Sequence, residues 1–423
     1  MRIRLSILLL GLCAYLSISS AASALDVTGQ SRTYLQSRES VDSTRFLPLY
    51  EYLDFRADDI GTKAVSFHVG GWYRHDLESE SYGTRSTGDL QYAYLMLKHD
   101  KGNAFLHLGR VAVHQGVASA MVDGAAAGAD LMWGFGLSAF GGVPVETAFD
   151  TRTGDSIYGG RISQGREGLY RIGVSHLLER NNSTDVRKEE GIDLWFRPFN
   201  AVELLGSTQY NSLTSATARN AYYLTLAPFK VLSLRTEFTE ISYKDYFTST
   251  NLSVFQFQPG GPVDPNEKLK TVGEEAALVI GSVSASVDYK KYTYRIAGSA
   301  DYYGARLTYA GMRHAGAGLS FHRMDGKTDA LRYDESRIYG RINFKQADLT
   351  ADLLAITYDA KINGVKNAYS ASLAAGYNLT AKARLGADIE YAKNPYFDKD
   401  IRGMVKFVYN FDLAPATKGD DKR

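Results

Sequence analysis

Ile401-Arg402-Gly403-Met404-Val405-Lys406-Phe407-Val408-Tyr409-Asn410-Phe411 is the stretch that decides the fold. Ile401, Gly403, Val405, Phe407, Tyr409 and Phe411 fall on one side of an extended chain; Arg402, Met404, Lys406, Val408 and Asn410 fall on the other. A period of two marks a strand with one apolar and one polar face. The alternation returns roughly every 18 residues, with no helical period between. Ile338, Gly340, Ile342 and Phe344 oppose Arg337, Tyr339, Arg341, Asn343 and Lys345. Leu385, Ala387, Ile389 and Tyr391 likewise oppose Arg384, Asp388 and Glu390. An arginine at the bilayer midplane costs about 2–4 kcal/mol, so the polar sets need water or protein on their side.

The connections are of two kinds. Residues 197–201, 227–230, 280–282, 345–347 and 379–382 read as tight periplasmic turns, and the longer polar segments 180–191, 213–219, 246–270, 325–334 and 362–367 as extracellular loops. That asymmetry is the one outer-membrane barrels show. The expected fold is all-β: an antiparallel transmembrane barrel of about 22 strands, with 20 open because patterning is weak over 120–143. A soluble sandwich would also alternate, but about 20 strands is beyond sandwich size. No fixed-period repeat suggests a propeller.

Residues 1–24 read as a secretory signal: Arg2 and Arg4, an apolar run from Leu5 to Ile18, and the small-residue site Ala22-Ser23-Ala24. Residues 25–413 would form the barrel and 414–423 a polar tail. The one cysteine, Cys13, leaves with the signal, so the mature chain offers no disulfide, thiolate metal site or C-x-x-C-H haem attachment. No cofactor is expected on this chain. A formal net charge of +1 gives no bulk attraction to nucleic acid. The 29 tyrosines suit both strands and the bilayer interface.

Strands begin too close to residue 25 for a plug domain, so the wide lumen holds either water or an inserted partner. The pore-lining residues expected from alternation are Arg337, Arg341, Lys345, Arg384, Arg402 and Lys406, with Asp348, Asp352, Asp388 and Glu390 near them. They would set up a transverse field or simply neutralise one another along a wet wall. Arg110, with His107 and His114, is a further candidate lining group, or else an ordinary strand-end set. The short connection around 114–119 is expected to be too small for a constriction. An enzyme would need converging catalytic groups, yet the eight histidines are scattered and none lies in a motif such as H-E-x-x-H.

Leu108-Gly109-Arg110 and the His114–Ser119 segment resemble the point in general porins where a strand ends in Gly-Arg before the third loop. Together with the leader and the terminal strand, they make the chain similar to Gram-negative outer-membrane porins. The resemblance implies an outer-membrane channel for small polar solutes, seated in the lipid bilayer by the barrel-assembly machinery. More narrowly, Leu385–Tyr391 and Asn394–Gly403 look like the porin-like subunits of metal-respiring bacteria. Some of those sheath a multihaem c-type cytochrome, which implies that partner as the alternative. Barrel proteins of this kind usually end on an aromatic residue; here Phe411 is followed by Asp412, Leu413 and the tail.

Overall fold

Backbone N–H and C=O groups facing hydrocarbon must all be bonded to other strands, which an open sheet cannot arrange. Here each strand pairs antiparallel with its neighbours in sequence, and the last returns to the first. The computed structural model describes residues 26–39, 44–80, 83–145, 154–247, 264, 266–312 and 314–412. The stretches read from sequence as a signal and a polar tail, and most of the 246–270 connection, lie outside the described residues. Strand segments run from β1 (Asp26–Glu39) to β23 (Phe397–Asp412). The short β2 (Arg45–Phe46) and β3 (Pro48–Asp58) both pair with β1 and form one strand interrupted at Leu47. The sheet is therefore a closed antiparallel barrel of 22 strands. The weakly patterned region contributes two of them, β7 (Ala118–Asp130) and β8 (Phe135–Pro144).

Closure runs from Thr28 opposite Asp412 to Arg38 opposite Arg402. Phe411 faces Gly29 across this seam, and its ring fills the space a side chain at 29 would need: a Cβ there would stand 2.2 Å from Cζ.

Side chains fan apart on the convex wall of a barrel and converge on the concave one. Ile162, Ile192, Val287, Ile338, Ile389 and Val405 stand exposed on the convex side. Exposed aromatics gather toward its two rims. Trp133, Phe199, Phe229, Phe344 and Tyr409 lie near the tight turns, and Tyr73, Tyr158, Tyr289 and Tyr303 toward the longer connections. An apolar band between aromatic girdles is the outer surface of a membrane barrel.

The strands are taller than alternation suggested. The segment 180–191 is strand, not loop: β10 (Tyr170–Asn181) and β11 (Thr184–Phe199) meet in a two-residue turn. Asn182 and Ser183 both take positive φ, as a right-twisted hairpin favours. Above the apolar band neither face need be greasy, so the polar run Thr184–Gly191 hid a strand.

The long connection is anchored at its far end by Glu267. Its buried carboxylate accepts the backbone N–H groups of Lys268 (2.9 Å), Ile296 (3.0 Å) and Ala297 (3.2 Å). Burial alone would raise its pKa, but these donors outweigh burial and hold it below the ordinary value of about 4.5. A depressed carboxylate stabilises the fold above its unfolded value and loses that contribution as pH falls through the folded one. Amide protection at Ile296 and Ala297, corrected for intrinsic exchange, should therefore be full above about pH 4.5 and fall below it. In Glu267→Gln the dependence on pH should vanish. Unchanged protection across the acid range would contradict this anchor.

Candidate functional site: the inner wall and an infolded hairpin

On the concave face, long polar side chains lie flat against the wall because glycines make room beneath them. Arg384 on β22 (Ala383–Asn394) crosses Gly376 of β21 (Val365–Asn378) to pair with Asp348 on β20 (Ala347–Ile362). Arg161 on β9 (Ser156–Arg166) crosses Gly173 to Asp193 on β11, with two bonds of 2.9 and 2.6 Å. A Cβ on Gly173 would sit 2.3 Å from the Arg161 Nη2. Lys290 reaches Glu237 (2.8 Å) over Gly273, and His322 reaches Asp288 (3.0 Å) over Gly304. Each pair spans three strands and finds its partner sideways along the wall.

The charged residues singled out from sequence are largely brought together by this arrangement. Arg337 forks onto Asp352 and lies 5.1 Å from the Tyr339 ring centroid. Lys406 meets Asp388 at 2.8 Å, and Arg402 meets Asp400 at 2.6 Å. Glu390 stands opposite Arg402 and accepts the Ser370 hydroxyl at 2.9 Å. Arg341 and Lys345 are exposed; Arg341 stands opposite Gly316 on one side and Thr350 on the other. Of the two arrangements weighed from sequence, neutralising pairs describe these contacts better than a separated field.

A second element was not legible in the sequence. Gly109, Gly124 and Gly142 stand side by side across β6 (Ala104–Gln115), β7 and β8. Gly109 has φ +128°, and a Cβ there would lie 2.2 Å from the Ala93 carbonyl oxygen; one on Gly124 would lie 2.1 Å from that of Gly141. Glycine in a strand marks a sharp bend or close backbone approach, and here three in a row form a crease. Beyond it the β6–β7 hairpin leaves β5 (Ser86–Lys98), whose described pairing with β6 stops at Ala93 opposite Arg110. The hairpin curls inward and lays its face on the inner wall of β8–β10.

The contact is a small dry core. Val111, Val113, Ala118 and Val122 of the hairpin pack with Phe140, Ile157 and Leu177 of the wall, all buried. Val122 and Leu177 are 0% exposed, unusual burial for a hollow barrel. At the tip, the Val117 N–H donates to the Ser175 hydroxyl at 3.1 Å. Arg187 donates to the carbonyls of Ser119 and Val117 (3.4 and 3.5 Å) and binds Glu189 twice (2.9 and 3.0 Å). Thus the connection at 114–119, too short to constrict as a loop, enters the lumen because the strands carry it there.

Arg110 sits at the crease, its side chain 14% exposed. It binds Asp123 through Nε (2.7 Å) and Nη2 (2.9 Å) and donates to the Leu90 carbonyl (2.8 Å), next to where β5 loses its partner. Its geometry is that of a hinge clamp. His114 is exposed on the hairpin, whereas His107 packs between Tyr94 (4.9 Å) and Phe105 (4.7 Å). Among the described residues, no group of three His, Cys, Asp or Glu side chains could hold a metal ion.

No protein-family model matches the chain, and no curated protein matches it. Solved structures do. A mutant of the ferric enterobactin receptor PfeA of Pseudomonas aeruginosa aligns at 8% identity over 91% of this chain and 80% of that one, with a TM-score of 0.56. OccK8 (OprE) of Pseudomonas aeruginosa aligns at 9% identity over 92% and 98%, TM-score 0.44. OccAB2 of Acinetobacter baumannii aligns at 11% over 92% and 98%, TM-score 0.45. Only the first is close enough in shape to bear on architecture, and at that identity the likeness concerns fold alone. The class is the closed transmembrane β-barrel of outer-membrane type.

Proposed function

We propose that the protein is a porin-like channel of the Gram-negative outer membrane, holding open a hydrophilic passage for small polar solutes. The observation that carries this reading is the flat, internally neutralised inner wall: its charges pair along the surface rather than projecting across it. In this reading residues 1–24 direct export and are removed, 25–413 form the barrel, and 414–423 hang in the periplasm. Arg337, Arg341, Lys345, Asp348, Asp352, Arg384, Asp388, Glu390, Arg402 and Lys406 line the water, while Arg110 clamps the hairpin that narrows it. No step calls for catalysis.

The purified barrel alone, in a planar lipid bilayer, should carry an ohmic ion current with weak selectivity, because paired charges leave little net field. A silent barrel, or a mature chain soluble without detergent, would remove this reading. The flat charge pairs and the 22-strand girth support one other occupant, a multihaem c-type cytochrome sheathed in the lumen beside the infolded hairpin. That reading requires a haem-staining partner to co-purify with the tagged barrel from solubilised outer membranes. It also requires electron transfer across liposomes only when both proteins are present.

A further inference from the structure

The inner wall carries one feature that an ion passage does not need: two clusters of aromatic rings, one toward each rim, joined by the Arg32–Asp54 ion pair. The first lies near the longer connections, where Tyr50 stacks on Tyr52 at 6.3 Å and Tyr34 meets Tyr52 edge-on at 5.6 Å. Arg32 lies over the Tyr52 ring (5.4 Å) and bonds Asp54 at 2.5 Å. Asp54 in turn accepts the Tyr92 hydroxyl at 2.7 Å. From Tyr92 the second cluster passes to Tyr94 (6.1 Å), then to His107 (4.9 Å) and Phe105 (4.7 Å) beside the tight turns. His68 stacks on Tyr94 from the other side, 4.9 Å away and nearly parallel.

The rings are seated rather than projecting. Tyr92 covers Gly70 and Phe105 covers Gly128, where a Cβ would stand 2.5 and 2.6 Å from ring carbons. All are half-buried, so part of each ring remains open to the lumen. The charges beside the rings are paired with each other, Arg32 with Asp54 and Arg56 with Asp58. An ionic ligand would find them neutralised. A hydroxyl-rich ring would find apolar faces to stack on and hydrogen-bonding groups beside them.

We propose that this track binds neutral saccharides, stacking successive sugar rings along Tyr50, Tyr52, Tyr92, Tyr94 and Phe105 as they cross the barrel. The inference rests on the channel reading for its consequence, but binding is measurable without current. The probe is maltohexaose with the full-length barrel, by saturation-transfer difference NMR in detergent micelles and by block of ion current in a bilayer. Expected are saturation transfer to the sugar and a concentration-dependent current block at millimolar maltohexaose.

Paired Tyr52→Ala and Tyr94→Ala should raise the half-saturating concentration about tenfold or more, while the corresponding Phe substitutions keep it within about twofold. If the alanine pair loses its folded gel mobility, Phe105→Leu replaces it and should weaken binding about threefold. No transfer to maltohexaose, or binding indifferent to these rings, overturns the track. Ion current without sugar binding sinks the track and leaves the channel standing. Sugar binding without current sinks the channel and leaves the track.

Discussion

Excising residues 112–121, the tip of the infolded hairpin, should raise the single-channel conductance of the reconstituted barrel about twofold or more. The removed segment is the part beyond the crease, so Arg110 and Asp123 remain as the base of the shortened hairpin. Current through a wide aqueous pore follows its open cross-section, and this hairpin is the described element that leaves the wall for the lumen. A softer change makes the same point. Val122→Ala with Leu177→Ala takes volume from a fully packed contact and should cost about 2–5 kcal/mol at the larger site, enough to let the hairpin lift. The expected signature is a noisier open state rather than a uniformly larger one. Equal, quiet conductance in both variants would mean the hairpin does not narrow the path.

Gly173→Val should destabilise the barrel by breaking the charge pair that crosses this glycine. The new side chain would occupy the space of the Arg161 guanidinium, 2.3 Å from Nη2 at its first atom, and the bond to Asp193 could not form. Overpacking of this kind costs about 1–3 kcal/mol, and stranding a half-buried aspartate adds to it. The thermal midpoint, read from the shift between folded and unfolded gel mobility, should drop clearly. Gly340→Ala is the control: the nearest atom to its Cβ would be 3.6 Å away, so little should change. A large drop in the control and none at 173 would refute the role assigned to glycine here.

Period-two alternation and turn chemistry were enough to read about 22 strands from the chain, with 20 left open, because each side-chain position has only two possible environments and a slip exchanges them. Ile338 and Arg337 could be told apart from their neighbours alone. The infolding could not. Gly109, Gly124 and Gly142 lie in three separate strands and become a crease only when register sets them in one row. The alanines of 125–127 looked like weak patterning because small side chains leave no clear apolar or polar face. The partners of the charges were hidden for a related reason: Arg161 and Asp193 are 32 residues apart and meet across a strand whose glycine lies in neither segment. Alternation assigns a side chain to a face, while only pairing decides what it touches.

The seam between β1 and β23 has a bearing on how the molecule is made. Gln30 and Asn410, which bond across it, are 380 residues apart in the chain. Bringing such distant segments together is entropically unfavourable and must come late, after the intervening hairpins exist. Until then two long unsatisfied borders stand open, each a template for a stranger's strand. A chain cut short before its final stave would therefore not settle into a smaller ring; it would aggregate, and a membrane insertion machine has to guard both borders until Phe411 settles over Gly29.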